Sequence, residues 1–144
     1  MSTLSIIGLM AIVFGSSAIA TISHAQPART QQETVGEMAN SELKTAVVRV
    51  TGASADKVEV ITTSSVIAVT LVNGNMNDAT TVDRENYAAA IAATISKEIL
   101  GKSEFKGIVS LRVDFVNRKG AASTVNDSIE FREDPSGAFK HHQS

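Results

Sequence analysis

The chain has 144 residues, with 13 basic and 15 acidic side chains, a formal net charge of -2, one tyrosine, no tryptophan and no cysteine. This rules out disulfides, thiol chemistry and a lipid-modified cysteine anchor, and it gives no electrostatic footprint for nucleic acid. It also leaves the chain almost without the aromatic platforms on which sugars or bases stack.

Residues 1–28 carry no Asp, Glu, Lys or Arg, and residues 4–22 are almost wholly apolar or small. Ser23, His24 and Ala25 follow, with small residues at the two places a signal peptidase pocket reads, so cleavage is expected after Ala25. Residues 1–25 then form a signal peptide. The alternative is a retained anchor, because the same stretch is long enough to cross a bilayer as a helix. Gly8, Gly15, Ser16 and Ser17 lower its hydropathy and favour the cleaved form. The front end carries no basic side chain, so only the α-amino group supplies positive charge there. Both readings place the domain outside the cytosol, in the periplasm or the extracellular space.

Residues 26–32 are polar, contain Pro27 and Arg29, and read as a flexible lead-in. A helix is predicted over 33–50. There Val35, Met38, Ala39, Leu43, Ala46, Val47 and Val50 recur at three- and four-residue steps. Gly36 weakens its start and Gly52 marks its stop. A short strand is expected over 57–62, a tight reversal at Thr63 and Ser64, and a strong strand over 65–73. The last is β-branched and apolar on both faces, as a central strand is. A polar loop follows, and then a helix over 83–100. Its Tyr87, Ile91, Ile95 and Ile99 repeat every four residues; Thr81 or Asp83 is its candidate cap and Gly101 its exit. Residues 108–116 alternate, with Val109, Leu111, Val113 and Phe115 to one side and Ser110, Arg112 and Asp114 to the other. Residues 117–120 begin a turn. A last strand is predicted over 124–132, with Val125, Ile129 and Phe131 inward, and residues 133–144 read as a flexible tail.

The order α-β-β-α-β-β predicts a single two-layer α+β domain over 33–132. Its sheet is antiparallel-rich, with both helices packed on one face. The alternation over 108–116 predicts that the other face is wet.

Chemistry is sparse along this chain. His141 and His142 fall in the predicted tail, where no rigid nucleophile–base arrangement can form. Zinc spacings, phosphate loops and dinucleotide-binding glycine patterns are absent from the sequence. Asp114 and Glu130 sit on predicted neighbouring strands and are the one carboxylate pair of the kind a hydrolase needs. Cross-strand ion pairs with Arg112 and Arg132 explain the same residues more simply. Asn73, Asn75, Asn77, Asp78 and Asp83 give the polar loop many oxygen ligands, without the terminal Glu of a calcium loop. Asn126-Asp127-Ser128 matches the glycosylation acceptor pattern inside a predicted strand.

No catalytic, cofactor-binding or metal-binding residue is assigned. The expected function is a small exported non-catalytic protein that binds another envelope or extracellular macromolecule through its helix, its wet sheet face or an edge strand. Glu130 and Arg132 are expected to protect the edge of the last strand. A carrier of a small apolar ligand, lined by Tyr87, Ile91, Ile95, Leu111 and Phe115, is the alternative, and a carboxylate hydrolase the third reading. No nucleic acid partner is expected, membrane association only through an uncleaved leader, and a homo-oligomer stays open.

Overall fold

The computed structural model describes residues 25–142, with side chains from Gly36 onward. Residues 1–24 of the predicted leader, His24 among them, lie outside the described residues. Helix α1 spans Ala25–Thr51, β1 Val58–Thr62, β2 Val66–Val72, α2 Thr81–Ile99, β3 Ser110–Lys119, β4 Ala122–Glu133 and β5 Phe139–His141. The expected two-layer α+β architecture is present, with one strand more than the sequence pattern shows.

The five strands form one sheet in the order β1-β2-β3-β4-β5. Neighbours are antiparallel except β2 and β3, which are parallel and joined through α2. A parallel pair needs a long crossover, and α2 supplies it. Val58 and Val60 on β1, Ile67, Val69 and Leu71 on β2, and Leu111, Val113 and Phe115 on β3 lie in register with Ile129 and Phe131 on β4. They share one core with Leu43 and Val47 of α1 and Ile91 and Ile95 of α2. Burial of each such side chain contributes roughly 1.5–3 kcal/mol.

Helix α1 is described from Ala25, before the expected 33, and takes in the residues read as a lead-in. Gln, Ala, Arg and Glu in this stretch are good helix formers. Its buried stripe is narrower than the periodicity predicts: Ala39, Leu43, Ala46 and Val47 are inside, whereas Met38 and Val50 are exposed. Gly52 ends the helix at a positive φ of 67°, donating its N–H to the Val48 carbonyl at 2.8 Å. Helix α2 is capped by Thr80, not by Thr81 or Asp83. The Thr80 hydroxyl accepts the Asp83 N–H at 3.2 Å and donates to the Asp83 carboxylate at 2.7 Å. The Asp83 carboxylate thus orients the capping hydroxyl.

Two further differences change the surface. Strand β3 runs on to Lys119, so 117–119 are strand and the turn is confined to Gly120, at φ 59°, and Ala121. Opposite it, β4 carries a bulge: Phe115 pairs with Asp127 but Val116 with Val125, leaving Asn126 as the extra residue. One inserted residue reverses the alternation. Ile129 and Phe131 therefore point into the core, while Val125, expected inward, is 59% exposed on the other face.

The predicted tail is not loose where it is described. Asp134 gathers a turn: one carboxylate oxygen accepts the Ser136 N–H at 2.8 Å and the Ala138 N–H at 3.1 Å. Phe139 then enters the core and its N–H reaches the Ser96 hydroxyl on α2 at 3.0 Å. One aromatic anchor and a side-chain-closed turn leave no periodic signal, which is why β5 is invisible in the sequence pattern.

Candidate functional site

The helices cover one sheet face. On the other, among the described residues, no helix is packed, and a lattice of polar side chains occupies the surface. Asp114 is 9% exposed and sits opposite Ser128, whose hydroxyl donates to one Asp114 oxygen at 2.6 Å. Arg112, two residues back on the same strand, donates from Nε to the other oxygen at 3.0 Å. Glu130 lies opposite Arg112, and Arg132 opposite Ser110. Asp114 and Glu130 therefore share the face without facing each other. Both Asp114 oxygens accept hydrogen bonds, one from Ser128 across the strand pair and one from Arg112 along its own strand.

A second ion pair crosses the same face. Arg118 near the end of β3 donates to Glu59 of β1 at 2.9 Å, so the pair spans the intervening β2. The Glu59 hydrogen bond, and then its charge, raise the Arg118 guanidinium further above its ordinary value. Val72 and Val116 are buried on this stretch of the open face, although among the described residues no helix covers it. A sequence separation of 59 residues hides this pair from any local pattern.

The oxygen-rich loop does not converge on a metal. Asn73, at a positive φ of 50°, accepts the Arg118 N–H at 2.7 Å and donates to the Arg118 carbonyl at 2.9 Å. Asn77, 3% exposed, donates to the Val116 carbonyl at 2.7 Å and to the Asn117 side chain at 2.9 Å. The Asn77 carbonyl in turn accepts from the Asn126 amide at 3.1 Å. Asn126, the glycosylation candidate, is therefore occupied in bracing its own bulge. Asp78 is exposed and Asp83 belongs to the helix cap. Among the described residues, no group of three or more His, Cys, Asp and Glu side chains is placed to hold a metal ion.

Arg84 completes this brace and has no sequence signature. From α2 it reaches the Asp127 carboxylate at 2.8 Å and the Ala79 carbonyl at 2.6 Å, joining helix, loop and bulged strand. Asp127 also accepts the Ser128 N–H at 2.9 Å.

The residues proposed to line an apolar ligand gap are packed against one another. Ile91, Ile95, Leu111 and Phe115 are fully buried, and the rings of Tyr87 and Phe115 lie 6.4 Å apart. A cavity of about 180 Å³ lies instead beyond Tyr87, bounded by Thr51, Lys57, Gly74, Met76 and Asn77. The Tyr87 hydroxyl closes one side by donating to the Thr51 carbonyl at 3.1 Å. Of the five proposed lining residues only Tyr87 borders it. The Asn77 Oδ1 atom is buried without a hydrogen-bond partner. At the opposite end of the domain His141 belongs to β5 and stacks against Phe131 at 5.6 Å, and the His142 N–H donates to the Glu130 carbonyl at 3.0 Å.

Comparison with protein-family models, curated proteins and solved structures finds no match to this chain.

Proposed function

We propose that the chain is an exported binding module that presents its open sheet face to another envelope or extracellular macromolecule. The observation that supports this most directly is the order imposed on that face. Arg112, Asp114 and Ser128 are tied into one cluster, and Glu59 and Arg118 into another across three strands. Side chains held in this way lose little further freedom on docking, which lowers the entropic cost of association. The face is open, and arginine on such a surface supplies directional donors to a partner. The apolar leader supports the location, since it directs the domain out of the cytosol.

The test is site-specific photocrosslinking in the native host, with probes at Thr70 and Arg132 on the open face and at Ala90 on the exposed side of α2. One reproducible macromolecular product from the open-face probes, lost in Arg112→Glu, is the expected result. Products from Ala90 alone, or none from either face despite confirmed export, would sink the proposal.

A further inference from the structure

The edge formed by β1 has a property separate from the open face. The reversal after β1 is closed by the Thr63 N–H donating to the Val66 carbonyl at 2.9 Å. Thr63 therefore turns its backbone groups toward β2. Because strand residues alternate, Ile61 and Glu59 do the same, while Val60 and Thr62 turn theirs to the outside. Val58 also points outward, but its N–H is taken by the Ala55 carbonyl and the residue is fully buried. Among the described residues no backbone group pairs with the outward side of Val60 or Thr62. The strand is unbulged, and Ile61, between these two residues, is 59% exposed on the open face.

We propose that this edge pairs with the same edge of a second copy of the chain, antiparallel, about a twofold axis through Ile61. The free groups are symmetric about that residue. Val60 exchanges both of its backbone hydrogen bonds with Thr62 of the second copy, and Thr62 does the same with Val60. Ile61 then faces its own counterpart in a non-hydrogen-bonded pair, the position where opposing side chains approach most closely and apolar pairs stabilise most. The charges also agree with this register. Glu59 lies opposite Thr63 and is already held by Arg118, and Lys57 lies opposite Ser65, so no like charges meet across the seam.

The size of the contact sets its strength. Stable interfaces bury about 1,200–2,000 Å² in total, and a ladder centred on three residues buries less. The dimer is therefore reversible and concentration-dependent, and it joins the two sheets into one. It does not depend on whether a partner occupies the open face.

The chain has no cysteine, so a single introduced thiol reports the contact cleanly. Residues opposed in a non-hydrogen-bonded pair have Cα atoms about 4.5 Å apart, within the range of about 4.4–6.8 Å that a disulfide accepts. Mild oxidation of full-length Ile61→Cys should give a covalent dimer. Val125→Cys, at a position of equal exposure, should not. In sedimentation equilibrium the mass of the unmodified chain should rise with concentration, and that of Ile61→Lys should stay monomeric with an unchanged circular dichroism spectrum. The proposal is overturned if Ile61→Cys crosslinks no better than Val125→Cys, if the unmodified chain and Ile61→Lys sediment alike, or if the introduced thiol captures a different protein in place of a second copy.

Discussion

At one margin of the sheet the C-terminal end of β4 is shielded by β5; at the other, β1 has no outer backbone partner among the described residues around an exposed isoleucine. The outer side of β4 is paired with β5 at Phe131–Glu133, kinked by the Asn126 bulge, and has its Ser128 N–H occupied by the Asp127 carboxylate. These are the devices by which edge strands avoid unwanted pairing. Among the described residues strand β1 has none of them at Val60–Thr62, and its one acidic residue is neutralised by Arg118. The contrast argues that β1 is kept available for pairing.

The largest expected effect comes from removing the anchor of the shielded margin. Phe139 is buried between β4 and α2, so Phe139→Ala should cost about 3 kcal/mol or more in urea unfolding, as buried Phe→Ala changes do. The same change should release β5, so that the His142 amide exchanges faster and the outer side of β4 loses its strand partner. Unchanged exchange at His142 would show that the Asp134 turn alone holds β5, and that Phe139 is only core filling.

Asp127→Ala should have a smaller effect, roughly 1–3 kcal/mol, because the half-buried Arg84 loses a charged hydrogen-bond partner. Asp127→Asn separates its two tasks. The amide oxygen can still accept the Ser128 N–H, while the ion pair with Arg84 is gone. Ser128 exchange should therefore rise in Asp127→Ala and stay near the unmodified rate in Asp127→Asn. Equal exchange in both variants would remove Asp127 from the protection of this edge.

How far these margins could be read in the sequence follows from the range of the interactions that build them. The two-layer domain, both helices and the four longer strands are carried by periodic apolar residues such as Ile91, Ile95, Leu111 and Val113, and are legible. The edge devices are not. The Asn126 bulge depends on a register set across strands, so Val125 reads as inward until the pairing with Val116 is known. Glu130 and Arg132, read as protecting an outermost strand, lie where β5 already pairs with β4 or bonds to it. The open-face clusters are half legible: Arg112 and Asp114 show their alternation, whereas the roles of Ser128 and Arg118, and of Arg84 on the covered face, come from contacts between distant segments.

The smallest effect expected is a loosening of the shielded margin in acid. Asp134 is held below its ordinary carboxylate value, first by the hydrogen bond from the Ser136 hydroxyl and then by the N–H groups of Ala138 and Ser136. A depressed folded-state value means that the ionised form stabilises the turn. That contribution is fully present above the unfolded carboxylate value and is lost as pH falls through the folded one. The amide resonances of Ser136 and Ala138 should therefore move together at a midpoint below that of an ordinary aspartate, with the β5 signals following them. Asp134→Asn keeps an oxygen that accepts the same N–H groups but cannot titrate, so its β5 signals should be insensitive to pH across that range. If they titrate as before, another group controls the latch. If they are lost at every pH, the negative charge itself holds β5 against β4.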